Sequence, residues 1–299
     1  MLHETEFEIN KPADIPAENA GGLRVAILAP LCPNGEVNLH PRWVEPFTKA
    51  GIDVDLIRVD ATSSEVDAAL SRVHGVMLPG GNANVHPMFY DPMYEDDPQW
   101  GERQHDLRDT KRDIKAMEIV WKAKHQNLPV LGICRGMQEM VAAFGGRLEK
   151  LHDNGIDHAG GPAHEFNMQT MLEPEDIGHV VHTINIVDGT EFANIFKRSA
   201  LAVNSVHGEG ITLRNWNKIE NSTLQDNFTV QAVAPDGVVE AIANGNMVGV
   251  QFHAEVEGQV PENHQLLFGH FFGKMHEFKA GMGVTPASVP ALRANGGVA

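Results

Sequence analysis

The sequence predicts an α/β fold in which helices cover both faces of a mostly parallel sheet. Short apolar segments alternate with segments of helical periodicity along the first half of the chain, which is typical of parallel strands joined by helices. In the second half, Asn244-Gly245 stands between two short apolar segments, and this hairpin signal predicts antiparallel strands. We therefore expect a mostly parallel central sheet with an added antiparallel strand region.

The first half of the chain supplies the predicted parallel strands. Four apolar runs predict strands, at residues 24–29, 52–57, 75–78 and 128–133. Apolar residues at helical spacing predict helices between and after them, over residues 43–50, 63–71, 106–125 and 137–144. Gly51 and Gly145 suit the positions just past two of these helices, and Thr62 or Ser63 can cap another.

The second half is predicted to continue the same domain. Its predicted strands are residues 180–187, 229–234, 239–242 and 247–250, and a final helix covers 263–278. Residues 1–22 form a predicted N-terminal arm, residues 23–279 one domain, and residues 280–299 a loose C-terminal tail, because neither end shows periodicity.

Composition excludes several classes of partner. A chain of 299 residues with 42% hydrophobic content can bury one large core, and it contains no apolar run of the roughly 18 residues that predict a membrane span. The formal charge of −17 argues against nucleic acid and anionic membranes as partners. Only two cysteines and an acidic N-terminus without a secretory pattern indicate a reducing, cytoplasmic compartment.

Cys134 is the strongest candidate for chemistry. It stands between a predicted strand and a predicted helix, with Gly132 and Gly136 on either side. This is the pattern of a nucleophile elbow, whose sharp turn leaves little room for side chains two residues away. The N-terminus of the following helix favours the thiolate, which is the attacking form. The alternative is a buried free cysteine with a packing role only.

A second constellation, His253 and Glu255, follows the last predicted strand. In an extended segment the two side chains point to the same side, because the side-chain period is two. The carboxylate can then fix the imidazole tautomer while the other ring nitrogen serves Cys134 as its base. Alone, this short pattern is weak evidence, since histidines also pack in cores; together with the cysteine elbow it predicts a triad.

Two further segments are candidates for binding. Gly80, Gly81 and Asn82 follow the third predicted strand, where exposed backbone N–H groups suit an oxyanion hole. The N–H of Arg135, next to the nucleophile, is the expected second donor. An ordinary glycine turn is the alternative for this loop. The second segment contains Asn204, Ser205 and His207 and follows a short apolar step, so it can line a pocket; we call it the binding segment. The alternative interpretation of this segment is an ordinary surface loop.

The acidic and histidine-rich stretches each allow more than one interpretation. The acidic run 94–97 is either a solvated loop or a lid edge that attracts an amine-bearing substrate. His152, His158 and His164 raise the question of a metal, but their spacing matches no zinc pattern and no cysteine lies near them. We therefore predict no metal site and no cofactor.

With these motifs placed, the chain resembles the class I glutamine amidotransferase-like superfamily, and within it the gamma-glutamyl-gamma-aminobutyrate hydrolase-like family of gamma-glutamyl hydrolases. The resemblance is carried by the glycine loop with Tyr90, the cysteine motif with its arginine, the binding segment and the His–Glu motif, which are residues 78–90, 132–139, 203–207 and 249–255. The family usually has Trp-His-Pro-Glu where this chain has Phe-His-Ala-Glu at 252–255, and often His-Gln where it has Gly-Glu at 208–209.

The resemblance implies a flavodoxin-like α/β/α sandwich and a catalytic triad of Cys134, His253 and Glu255. It implies a thioester with the gamma-glutamyl group of a small-molecule substrate, contacted by Gln138 and released as glutamate. Gamma-glutamyl-gamma-aminobutyrate, an intermediate of putrescine catabolism, is the expected example. The alternatives are a glutaminase that supplies ammonia to a synthetase and a non-catalytic binding protein of the same fold. A homodimer is one expected assembly.

Overall fold

A computed structural model describes residues 22–93, 109–151, 155–156, 158 and 177–281. Almost all of the predicted arm and tail, the acidic run 94–97, and His152 and His164 lie outside these residues. The division into arm, domain and tail therefore stays a prediction. In the described part of the chain, no helix combines the length and apolar character that crossing a membrane requires.

The described residues form one nine-stranded mixed sheet and one two-stranded sheet. The large sheet has the order β2-β1-β3-β4-β11-β10-β9-β6-β7, and the small one pairs β5 with β8. The pairs from β2 to β11 are parallel, and those from β11 to β7 are antiparallel. The strands are β1 Arg24–Ala29, β2 Asp53–Arg58, β3 Gly75–Leu78, β4 Val130–Ile133, β5 Glu149–Lys150, β6 His182–Ile186, β7 Ala200–Val203, β8 Glu209–Gly210, β9 Thr229–Val233, β10 Val239–Ala243 and β11 Met247–Val250.

Helices pack on both faces of this sheet, as the predicted fold class requires. Along β1, Val25 and Ile27 belong to one hydrophobic cluster while Ala26 and Leu28 belong to the other. The first cluster includes residues of α1, α5 and α8, and the second includes residues of the other five helices. The helices are α1 Glu45–Lys49, α2 Ser63–Leu70, α3 Thr110–Gln126, α4 Arg135–Ala143, α5 Glu191–Phe196, α6 Leu213–Trp216, α7 Ser222–Asn227 and α8 Pro261–Lys279.

The predicted elements are confirmed within a residue or two wherever the structure describes them. The capping box of Thr62 and Glu65 begins α2, and Gly245 takes a positive φ of 87° in the β10–β11 hairpin. The antiparallel region is larger than expected, because β6, β7 and β9 extend the same sheet beyond the hairpin. The short elements α5, α6, α7, β5, β7 and β8 were not predicted.

Three neighbouring parallel strands deliver the candidate site to one edge of the sheet. β4 lies between β3 and β11, with Leu78 opposite Gly132 and Val250 opposite Ile133. The chain leaves β3 toward the glycine loop, β4 toward Cys134, and β11 toward the His–Glu segment. Because carboxyl ends of parallel strands share an edge, segments distant in sequence meet there.

Candidate active site

Cys134 occupies a strained turn between β4 and α4. Its φ of 52° and ψ of −109° are unusual for a residue with a side chain. Its N–H donates a 2.7 Å hydrogen bond to the carbonyl oxygen of Val250 in β11. The residue is 6% exposed and caps the N-terminus of α4. The backbone N–H groups of the first turn of α4 therefore point toward the Cys134 end of the helix, where a helix dipole favours negative charge.

The glycines on either side of Cys134 are required by close packing. A Cβ on Gly136 would lie closer than 3.0 Å to the carbonyl oxygen, carbonyl carbon and Cβ of Leu78. A Cβ on Gly132 would lie 2.8 Å from the carbonyl oxygen of Gly136. Only glycine fits at these two positions without moving backbone, which is the steric reason that the elbow pattern predicts.

His253 and Glu255 form a buried pair. His253 Nδ1 lies 2.7 Å from Glu255 Oε1, and the side chains are 3% and 0% exposed. Burial alone would lower the pKa of His253, but the charge of Glu255, the nearby Cys134 and the hydrogen bond to Glu255 outweigh burial and raise the pKa to about 10. The imidazole therefore carries a proton at neutral pH, and the Glu255 carboxylate is the partner that stabilises its charge.

Asn204 holds the backbone on which His253 stands. The His253 N–H donates to Asn204 Oδ1 at 2.8 Å, and Asn204 Nδ2 donates to the His253 carbonyl oxygen at 3.1 Å. Both polar atoms of this amide are therefore engaged with the main chain. Substrate contact by Asn204 was predicted, but its contacts support a positioning role. Around the pair, Arg42 Nε lies 3.7 Å from Glu255 Oε1, and the Trp43 ring packs 6.1 Å from the imidazole centroid.

The glycine loop after β3 is fixed by a buried arginine. Arg112 Nη1 donates to the Gly80 carbonyl oxygen at 2.9 Å, and Nη2 donates to the Pro79 carbonyl oxygen. A Cβ built on Gly80 would lie 3.1 Å from Cε1 of the His253 ring, so the loop borders the imidazole. In the same loop, Gly81 is half-buried and Asn82 is exposed.

Four buried charged side chains, from two arginines and two acidic residues, pair with one another next to the glycine loop and the Cys134 turn. Arg112 Nε donates to Glu139 Oε1 at 2.7 Å, and Arg135 Nη2 donates to Asp113 Oδ1 at 2.7 Å. All four are at most 3% exposed, and Asp113 also accepts the N–H of His86 at 3.0 Å. The Arg135 side chain is thus structural, which leaves its N–H, in the first turn of α4 without an intrahelical acceptor, as the predicted oxyanion donor.

The side chains of the remaining predicted binding residues, Gln138, Ser205 and His207, are buried. Gln138 Nε2 donates to the Glu209 carbonyl oxygen at 2.8 Å, while Gln138 Oε1 and Ser205 Oγ are buried without a hydrogen bond among the described residues. His207 Nδ1 lies 3.0 Å from the same Glu209 carbonyl. Gln138, one turn after Cys134, therefore links the nucleophile helix to the binding segment.

The sequence did not reveal two groups of residues. Arg42, Trp43, Arg112, Asp113 and Glu139 were not singled out as part of the site. The one signal available was Arg135 itself, because a charged residue at a buried strand–helix junction requires acidic partners. The two partners are Asp113, which lies 22 residues earlier on α3, and Glu139, which lies four residues later on α4.

The second group, of titratable residues, lies on the antiparallel side of the sheet. Nitrogen and oxygen atoms of His158, His182 and Glu240 lie within 4.8 Å of one another, a spacing that permits metal binding. Burial lowers the pKa of His182 and of His207. Burial acts on His158 in the same direction, but the hydrogen bond to Asp236 and the nearby Glu240 carboxylate outweigh it and raise the pKa of His158 to about 9.

Comparisons with known proteins show the family to which this chain belongs. The family model for Peptidase C26 matches residues 32–255. Gamma-glutamyl-gamma-aminobutyrate hydrolase of Escherichia coli O157:H7 is 29% identical over 241 residues, which are 78% of this chain and 84% of the relative. CTP synthase of Rhodospirillum centenum is 27% identical over 248 residues, which are 74% of this chain and 40% of the relative.

A solved structure supports the fold. The glutaminase domain of Trypanosoma brucei CTPS, with bound acivicin, superposes with a TM-score of 0.52 at 15% identity, covering 85% of this chain and 94% of that chain. At this identity the likeness concerns the fold alone. It agrees with the mixed sheet described above and with the predicted α/β class.

Proposed function

This chain belongs to the Peptidase C26 family of class I glutamine amidotransferase-like hydrolases, and on that premise we propose that it cleaves gamma-glutamyl amides through a thioester on Cys134. The observation that carries the proposal is the strained φ of Cys134 at the end of β4, hydrogen-bonded to the strand that leads to the His253–Glu255 pair. Strand–helix turns of this kind present a nucleophile to its base.

The proposed reaction has two halves. The Cys134 thiolate attacks the side-chain carbonyl carbon of the glutamyl group, and the N–H groups of Gly81 and Arg135 stabilise the oxyanion. When the C–N bond breaks, the imidazolium of His253 gives its proton to the leaving amine. The neutral imidazole then takes a proton from water, which attacks the thioester and releases glutamate while the thiolate is regenerated. Glu255 orients the ring and stabilises its charged form throughout.

The proposed substrate is a gamma-glutamyl amine such as gamma-glutamyl-gamma-aminobutyrate, which would place the enzyme in putrescine catabolism. Support comes from the relative of that name at 29% identity. Gln138 is the proposed contact for the glutamyl α-amino or carboxylate end, since its Oε1 lacks a hydrogen bond in the described structure. Ser205, whose hydroxyl is likewise without one among the described residues, is the proposed neighbour in the same pocket.

A panel of gamma-glutamyl amides tests the substrate. Glutamate release is measured with gamma-glutamyl-gamma-aminobutyrate, with further gamma-glutamyl amines and with glutamine, using C134A as the blank. The proposal expects the highest kcat/KM for a gamma-glutamyl amine and no turnover in C134A. A preference for glutamine over every amine would instead support a glutaminase, and equal hydrolysis by C134A would overturn the thioester mechanism.

A further inference from the structure

Three imidazoles and one carboxylate, none of which takes part in the proposed chemical steps, surround a common point on the antiparallel side of the sheet. His182 begins β6 and Glu240 lies in β10, while His158 and His207 come from the segments before β6 and after β7. Residues more than 80 positions apart therefore contribute to one cluster. No spacing of neighbouring histidines could have revealed it.

All three rings face the same carboxylate oxygen. Glu240 Oε1 lies 3.2 Å from His158 Nε2, 3.6 Å from His207 Nε2 and 3.8 Å from His182 Nε2. His158 Nε2 and His207 Nε2 are 3.1 Å apart. The Glu240 side chain is 0% exposed, and neither of its oxygens accepts a hydrogen bond of full geometry from a described residue. A buried carboxylate is costly unless a positive charge lies beside it, and either a protonated imidazole or a bound cation can supply that charge here.

The outer nitrogens of two rings fix which atoms point inward. His207 Nδ1 lies 3.0 Å from the carbonyl oxygen of Glu209, and a carbonyl only accepts, so Nδ1 carries the proton. His158 Nδ1 lies 2.6 Å from Asp236 Oδ2, which accepts in the same way. In their neutral forms both rings therefore present lone pairs at Nε2, and two lone pairs 3.1 Å apart repel unless a cation or a proton lies between them.

We propose that His158, His182 and Glu240, with His207 as the fourth donor, bind a divalent transition metal ion of the zinc class. Ligand atoms about 2.0–2.1 Å from a tetrahedral ion lie about 3.4 Å from one another. Four of the six separations between the proposed donors are 3.1–3.8 Å, and the ligand atoms of His158, His182 and Glu240 all lie within 4.8 Å of one another. Asp236 and the Glu209 carbonyl supply the outer hydrogen bonds that orient metal-binding histidines. A dication also balances the two carboxylates of the cluster when its imidazoles are neutral.

The ion would join two parts of the molecule that the reaction needs. The Glu209 carbonyl that orients His207 also accepts from Gln138, one turn after Cys134. The proposed metal site therefore connects the sheet to the binding segment and is separate from the proposed triad. The competing arrangement is a cluster held by a proton on His158 alone, which binds no metal.

Cobalt titration of the full-length protein distinguishes these arrangements. The protein is freed of metal with a chelator, exchanged into chelator-free buffer and titrated with Co²⁺, whose visible bands report tetrahedral coordination, and Zn²⁺ is then added as competitor. The proposal predicts one Co²⁺ per chain, displaced by Zn²⁺. H182A should lose the bands, and D236N should bind about 10–100-fold more weakly.

The matched control is H270A. His270 Nε2 lies 2.8 Å from Glu191 Oε1, in a part-buried His–Glu pair outside the cluster, so this variant should retain the bands. Circular dichroism checks that each variant is folded. If H182A unfolds, the Co²⁺ affinity of D236N still tests the proposal. Absence of the bands in the native protein, Co²⁺ binding of native affinity in both H182A and D236N, or loss of the bands in C134A would overturn the proposal. Loss in C134A would do so because it places the ion at the thiol.

Discussion

The N–H of Cys134 donates a 2.7 Å hydrogen bond to the carbonyl oxygen of Val250, which fixes Cys134 to the strand that leads to His253. The bond continues the parallel pairing of β4 with β11 one residue beyond the end of β4. The position of His253 relative to Cys134 is therefore set by sheet register over only three residues of chain. Four consequences of this arrangement can be measured.

Replacing Glu255 with glutamine should narrow the range of pH over which the imidazolium exists. In the native protein the pKa of His253 is raised from 6.5 to about 10, so the charged pair stabilises the fold fully below pH 6.5 and loses this contribution as pH rises through about 10. Without the Glu255 charge that loss should begin at lower pH, and kcat should fall by about 10³-fold or more. The pH dependence of kcat and of urea unfolding checks both; unchanged profiles would contradict the assigned pair.

Asn204→Ala should impair catalysis rather than binding. The amide clamps both backbone groups of His253, and small displacements of a catalytic group cost up to about 10²-fold in rate. We expect kcat to fall while KM stays close to the native value. Asn263→Ala is the matched control, because Asn263 is also buried and donates to a backbone carbonyl, that of Ala202, without holding His253. A rise in KM alone would instead assign Asn204 to substrate contact.

Arg112→Met should destabilise the whole domain. The variant leaves Glu139 buried and deprives Pro79 and Gly80 of their donor, and breaking a buried ion pair costs about 3–5 kcal/mol. Arg198→Ala, which removes an exposed pair with Glu262, should cost at most about 1 kcal/mol. Urea unfolding measures both free energies. Equal small losses would show that the network does not brace the glycine loop.

Gly136→Ala should be among the most damaging small substitutions. The added methyl group would overlap the Leu78 backbone, which pairs with neighbouring strands and has little freedom to move, so a loss of about 3 kcal/mol or more is expected. Gly273→Ala provides the contrast: no atom lies within 4 Å of a Cβ there, and in the middle of α8 alanine should stabilise by about 0.5–1 kcal/mol. Thermal unfolding of both variants should move in opposite directions.

The elements that carry Cys134, His253 and Glu255 could be predicted because their signals are local. The apolar run before Cys134 and the glycines beside it determine a strand, a turn and a helix within about 20 residues, and the Asn244-Gly245 turn fixes the hairpin that leads to His253. Short elements such as α5 Glu191–Phe196 contain too few residues for a periodic pattern, and they follow from packing against α8 and β9.

The supporting contacts could not be predicted, because they join residues far apart in sequence. Asn204 and His253 are 49 residues apart, and Arg112 and Glu139 are 27 apart. The residue types indicate polarity but not which partner they meet, since this depends on how the strands order in the sheet. The histidines nearest to His158 in sequence are His152 and His164, but the order of the strands brings His158 next to His182 and Glu240. Sequence spacing therefore does not reveal this cluster.

The central claim is that Cys134 is the activated nucleophile, and selective labelling tests it most directly. The native protein is treated with acivicin, a glutamine-like electrophile, and the adduct is located by peptide mass spectrometry with and without a gamma-glutamyl amide. The half-buried Cys32 is the internal control. The account predicts one adduct per chain, on Cys134, formed more slowly when substrate is present. An adduct that forms on Cys32 as fast as on Cys134, or at a rate that substrate leaves unchanged, would contradict it.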